Sequence, residues 1–180
     1  MVNPEMNTVQ NIADGTRPTS SETERLEALL EQVTDPEIPV VSIRDLGILR
    51  EISLDGDHVT VTITTTYSGC PAMSVIKSEI RQTLAEAGYE NVQVKQSLSP
   101  AWTTDWMTPE GREKLREYGI APPQKSAEGR CAVASPGTAV ACPQCGSNNT
   151  ECISEFGSTA CKALYRCQDC KEPFDYFKCL

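Results

Sequence analysis

Apolar side chains first recur with a helical period in SETERLEALLEQV, where Leu26, Leu29, Leu30 and Val33 share one face. Ser21 stands ahead of them with Glu24 three residues on, the form of a capping box, so the spacing predicts a first helix over residues 22–33. Thr34-Asp35-Pro36 ends it, because a proline ring disfavours helical geometry in the residue before it. The following run, DPEIPVVSIRDLG, reads as a proline-punctuated loop. ILREISL and HVTVTITTT are then two β-branched runs joined by a turn at Asp55-Gly56, which predicts a hairpin. Val59, Val61 and Ile63 alternate with Thr60, Thr62 and Thr64, so one face is expected on a core and the other in water.

After Tyr67-Ser68-Gly69-Cys70, Pro71 suits a first helical position. Ala72, Ile76, Ile80, Leu84 and Ala87 then keep a helical period up to Gly88, and Val92, Val94 and Leu98 supply a third strand. The order α-β-β-α-β predicts a small α+β sandwich domain with its helices on one face of a sheet. SPAWTTDWMTPEGREKLREYGIAPP adds a short helix, with Thr108 as N-cap, Pro109 first and Gly119 at its end. Residues 124–141 lack periodicity and read as a linker, and residues 1–21 read as a disordered tail. The expected organisation is therefore an α+β domain over 22–123 and a cysteine-rich unit over 142–180.

Residues 1–21 carry no signal-peptide pattern, and nothing later approaches the roughly 18 apolar residues of a membrane span, so the expected location is cytoplasmic. There are nine cysteines, an odd number, and seven of them follow residue 141. Without an export signal, such clustering favours metal over disulfides. The net charge is −9, and all but one unit of it falls on residues 1–130. An acidic body repels phosphate backbones, so no nucleic-acid partner is expected.

Cys142-Pro-Gln-Cys145 and Cys167-Gln-Asp-Cys170 are two C-x-x-C knuckles with 21 residues between them, a zinc-ribbon-like spacing that offers four thiolates to a structural zinc. An iron–sulfur cluster takes the same four sulfurs and is the other reading. Cys152, Cys161 and Cys179 exceed the need of one tetrahedral ion, and Cys161 and Cys179 are candidate additional ligands. Phe156, Leu164 and Tyr165 make too small a core for the ribbon to fold without metal. Phe174, Tyr176 and Phe177 are three aromatics within four residues, and read either as a docking patch, being more than such a ribbon can bury, or as side chains packed on its own knuckles.

Cys70 lies where the threonine-rich strand hands over to a helix N-terminus, whose amides and dipole favour a thiolate. It reads as a reactive sulfur, a metal ligand, or a small residue filling a tight turn. Asp35, Glu37 and Asp45 fall in one loop region and read either as cation-binding carboxylates or as solvated turn residues. His58 is the only histidine and is expected to be exposed, which rules out paired Glu-x-x-His di-iron chemistry.

DPEIPVVSIRDLGILREI and TTTYSGCPAM resemble the domain shared by SufT-like iron–sulfur assembly proteins. CPQCGS, FGSTACKALYRCQDC and EPFDYFKC, with the tryptophan segment, resemble the PaaD family, accessory subunits encoded with the phenylacetyl-CoA epoxidase of aerobic phenylacetate catabolism. Together the likeness runs over about residues 24–180. It implies a role in maturing that epoxidase by helping to deliver iron or a transient iron–sulfur cluster, not in ring epoxidation itself. It further implies protein partners within that system, its iron–sulfur reductase component being a reasonable client. The cysteine of SGCP, here Cys70, would handle the cluster, with Asp35 and Glu37 matching the DPE element. The competing expectations are a thiol or redox enzyme using Cys70, and a zinc-ribbon interaction module without transfer activity.

Overall fold

The computed structural model describes residues 20–123 and 140–178, so all but the last two residues of the expected tail, most of the expected linker, Cys131 and Cys179 lie outside the described residues. Helix α1 (Ser20–Leu30) begins ahead of the expected cap and ends three residues short of Val33. Leu26 and Leu30 are fully buried, and Val33 reaches the same core from the turn that follows, where its amide donates to the Leu30 carbonyl.

The run read as a loop is instead a small antiparallel pair, β1 (Thr34–Asp35) and β2 (Ile38–Ser42). The Asp35 carboxylate makes it: Oδ1 accepts from the amides of Glu37 and Ile38 at 2.8 and 3.0 Å, closing a turn around Pro36. At the far end of β2, the Ser42 amide donates to Asp45 Oδ2 at 2.9 Å and the Asp45 amide donates to Ser42 Oγ at 3.0 Å. Gly47 follows with φ +67°, and a Cβ there would lie 2.5 Å from the Trp106 carbonyl oxygen, so this approach requires glycine.

Strands β3 (Leu49–Asp55) and β4 (His58–Ile63) pair antiparallel through a two-residue turn at Gly56-Asp57, one position on from that expected. Val59, Val61 and Ile63 are fully buried on one face, each worth about 1.5–3 kcal/mol of burial. Thr60 and Thr62 are half-buried, but Thr64 is not on a wet face: its amide donates to the Ile48 carbonyl, which draws the side chain inside. Helix α2 (Ala72–Glu86) starts with Pro71 at the cap position and buries Ala72, Met73, Ile76, Ile80 and Leu84. It returns the chain to β5 (Asn91–Gln96), which runs parallel to β4, giving the order β3-β4-β5 with α1 and α2 packed together over the sheet. Leu98 lies beyond β5 and is exposed.

A 3-10 turn at Thr104–Trp106 leads into α3 (Pro109–Glu117), capped by Thr108 Oγ1, which accepts from the Gly111 amide at 2.9 Å. Gly119 ends the helix with φ +91°. Strands β6 (Ile120–Ala121), β7 (Thr150–Ser154), β8 (Lys162–Cys167) and β9 (Pro173–Phe177) then form one sheet in the order β6-β9-β8-β7. Thus β6, at the end of the first domain's sequence, is an edge strand of the ribbon's sheet, parallel to β9. Val140, in the stretch read as a linker, is buried in the ribbon's core.

This topology overturns the expected docking patch. Phe174, Tyr176 and Phe177 are all at most 5% exposed: the first two lie in the ribbon's core with Ala121, Val140 and Tyr165, and the third lies in the first domain's core. Phe174 and Tyr176 surround Tyr165, at centroid separations of 5.9 and 5.5 Å. Phe177 crosses into the first domain's core and meets Trp102. No described helix is long and apolar enough to cross a membrane.

Candidate metal centre and the Cys70 turn

The two knuckles bring Cys142, Cys145, Cys167 and Cys170 together, with their sulfurs all within 4.8 Å of one another. Sγ of Cys142 is 3.8 Å from Cys170, and Sγ of Cys145 is 3.5 Å from Cys167. Zinc–sulfur bonds of about 2.3 Å give tetrahedral sulfur–sulfur edges of about 3.8 Å, so the set fits a zinc ion of that geometry. Each knuckle closes on a residue in left-handed backbone, Gly146 at φ +74° and Lys171 at φ +69°. The Gly146 amide returns to the Cys142 carbonyl and the Cys167 amide reaches the Glu172 carbonyl. Amides of Cys170 and Asp169 pointing at the Cys167 sulfur lower its pKa to about 7, while that of Cys170, despite the Glu172 amide, is raised by the neighbouring thiols. Asp169 ties the knuckles together by accepting from Ser147 and from Asn149 Nδ2.

Of the surplus cysteines, the two described, Cys152 and Cys161, do not join this set. Cys152 is exposed on β7. Cys161, a candidate fifth ligand, precedes β8 at the end away from Cys167 and is buried in the first domain's core. The exposed apolar groups of the ribbon are Ile153 and Phe156, at its β7 edge, in place of the three aromatics of β9.

Cys70 occupies the expected strand-to-helix turn, half-buried, with its amide donating to the Tyr67 carbonyl. Its pKa is raised, against the direction the helix terminus alone would favour. Burial raises its pKa, the Ala72 amide and the Tyr67 hydroxyl oppose this, and the negative charges of Asp35 and Glu37 add to the rise. Asp35 is itself raised by burial against the two amides it accepts from, and Glu37 is raised by burial and by Asp35. Cys70, Asp35 and Glu37, far apart in the α1–α2 stretch, are therefore neighbours.

Asp45, read with them as a loop acid, does a different job. It is buried at the foot of α3, where it accepts from Thr108 Oγ1 and pairs with Lys114 at 2.7 Å. His58 is exposed at the opposite end of β4 from the segment leading to Cys70, about 17 Å of strand away, so it offers Cys70 no base. Sequence spacing does not single out for this site Tyr67, whose hydroxyl meets the Cys70 sulfur, nor Cys161 and Lys162, which interact electrostatically with Asp35 and Glu37. Only a contact from the far end of the chain brings the last two near those acids.

The chain is thus an α+β domain joined to a ribbon whose four cysteines converge as a metal-binding set. Residues 23–95 match the family described as iron-sulfur cluster assembly protein, and residues 127–178 match the PaaD zinc beta ribbon domain. A protein of Escherichia coli (strain K12), provisionally named as a component of 1,2-phenylacetyl-CoA epoxidase, is 54% identical over 153 residues, 85% of this chain and 90% of that one. The chain belongs to the PaaD family. The Fe-S protein maturation auxiliary factor of Porphyromonas gingivalis is 35% identical over 48% of this chain and 84% of its own length. Its namesake YitW of Bacillus subtilis is 36% identical over 47% of this chain and 84% of its own.

Proposed function

We propose that the protein is an accessory factor in maturation of the phenylacetyl-CoA epoxidase system, assisting delivery of iron or an iron–sulfur cluster to a client protein of that system, with a structural zinc in its ribbon. The single observation that carries this reading is the Cys70 thiol beside the carboxylates of Asp35 and Glu37. Carboxylates next to a thiol disfavour the thiolate until a cation arrives, so binding releases a proton and release of the cation takes it back. That is labile ligation, suited to passing iron on. Family membership and two maturation-factor relatives support the cargo; the ribbon's four sulfurs support zinc as its ion.

Cys70→Ala is expected to leave the fold and the ribbon's zinc in place while lowering iron loading of the client, with the iron–sulfur reductase component as the first client to assay. Unchanged client loading sinks the role of Cys70. A thiol enzyme is disfavoured by a sulfur whose pKa lies above its ordinary value and by the distance of His58.

A further inference from the structure

We propose that the ribbon's metal site is an interlock on the Cys70 turn: closing the four-cysteine set seats the open end of the β8–β9 hairpin in the first domain's core, and that end fixes the wall that presents Cys70. What Cys70 does with iron rests on the function proposed above; the interlock does not.

The hairpin has two ends with different tasks. At its closed end stand Cys167, the last residue of β8, and Cys170, in the loop before β9. Its open end, about 17 Å of strand away, carries Cys161 just before β8 and Phe177 as the last residue of β9. The Lys178 amide donates to the Cys161 carbonyl at 2.8 Å and Lys162 faces Phe177 across the ladder, so the two strand ends move as one piece. Both Cys161 and Phe177 are buried in the first domain's core and not in the ribbon's, at 6% and 2% exposure.

Contacts lead from there to Cys70. Phe177 meets Trp102 with ring centroids 6.2 Å apart, and the Trp102 indole nitrogen is held by the Leu46 carbonyl at 2.9 Å. Trp102 walls a cleft together with Thr64, Thr65, Tyr67 and Ser68. The Tyr67 carbonyl accepts from Thr65 Oγ1 at 2.5 Å and from the Cys70 amide at 3.3 Å, which shapes the turn that carries the thiol. Tyr67 and Cys70 pack against the same core that Phe177 and Cys161 enter.

The closed end depends on its ion. Cys142 and Cys167, two of the four ligands, are themselves members of the ribbon's small buried core, so losing the ion leaves two bare thiols there and loosens the hairpin. The first domain then gives up a ring from a close-packed core, and Trp102 its edge-to-face partner. A seat that is either filled or left is the two-state element that coupling between distant sites requires. Such coupling is reciprocal, so the seated end also holds the ion in place.

The test uses the full chain, zinc-loaded and reduced, with alkylation of each cysteine by iodoacetamide followed by peptide mass analysis. Removing zinc with a strong chelator is expected to speed alkylation of Cys70 about tenfold while amide hydrogen exchange in α2 and β4 stays slow. An unchanged Cys70 rate overturns the proposal, and so does a rise accompanied by full exchange of α2 and β4, which is unfolding of the whole domain. Phe177→Ala with zinc in place is expected to reproduce the faster Cys70 alkylation while the four knuckle cysteines stay protected. The same variant is expected to lose zinc to the chelator about tenfold faster, although Phe177 lies at the other end of the hairpin from the ligands. Zinc loss at the unmutated rate overturns the proposal. Should Phe177→Ala fail to fold, Phe177→Leu serves for the same two readouts. Zinc-dependent reactivity of Cys70, with client loading indifferent to Cys70, leaves the interlock standing and removes the iron-delivery reading. Client loading that needs Cys70, with a reactivity indifferent to zinc, does the reverse.

Discussion

Trp102 and Phe177 meet edge to face, with ring centroids 6.2 Å apart and an interplanar angle of 66°, and the Trp102 indole nitrogen donates onward to the Leu46 carbonyl at 2.9 Å. The last strand of the ribbon is thereby anchored in the core of the first domain. Phe177→Ala is expected to cost about 3–5 kcal/mol, the range for emptying an aromatic site in a core. Urea unfolding followed by tryptophan fluorescence is expected to show one transition in the unmutated chain. In the variant it should split into separate steps for the two parts; a single transition at an unchanged midpoint would contradict the coupling.

Removing the ribbon's ion should reach beyond the ribbon. The segment between the knuckles has few buried side chains of its own, so metal binding supplies much of its folding free energy. A strong chelator is expected to abolish the near-ultraviolet circular dichroism of Tyr165, Phe174 and Tyr176. It should also loosen Trp102, because β9 carries both groups. Metal analysis of untreated protein is expected to give one zinc per ribbon; iron with sulfide in its place would overturn that assignment.

Asp45 gives the first domain an acid-sensitive joint. Burial opposes its charge, yet the Lys114 ammonium and the amide and hydroxyl of Ser42 hold the carboxyl below its ordinary value. A carboxyl depressed in the folded state stabilises fully above its unfolded pKa, about 3.9, and the contribution is lost as pH falls through the folded value. Asp45→Asn is expected to cost about 2 kcal/mol at neutral pH, discounted because Lys114 is 43% exposed. It should also flatten the loss of stability below about pH 4, as read from thermal melts across an acid series.

Gly111→Ala inverts the usual helix rule. Alanine normally favours a helix interior by about 1 kcal/mol over glycine. Here the added Cβ would lie 2.8 Å from both the Cβ and the carbonyl oxygen of Asp45, so α3 would have to back away from the β2 loop. A net destabilisation of about 1–3 kcal/mol is expected in chemical denaturation, and a stabilised variant would contradict the close approach.

Local spacing alone determined a good deal of this protein. The period of Ile76, Ile80 and Leu84, the alternation of Val59, Val61 and Ile63, the cap at Thr108 and the two knuckles are all found where the pattern puts them. Each depends on residues within a turn or two of itself. The proline-rich run reads as a loop because its turn is closed by a side chain, Asp35, rather than by a turn dipeptide.

What only the tertiary structure decided is where β9 and Cys161 go. Three aromatics near the chain end look exposed until two of them pack around Tyr165 and the third meets Trp102, seventy-five residues earlier. Cys161 looks like a spare ribbon ligand until the same packing buries it in the first domain's core, away from the four knuckle sulfurs. Pairing between distant segments leaves no period in the sequence, because burial there is set by what lies across the sheet and not by what lies along the chain.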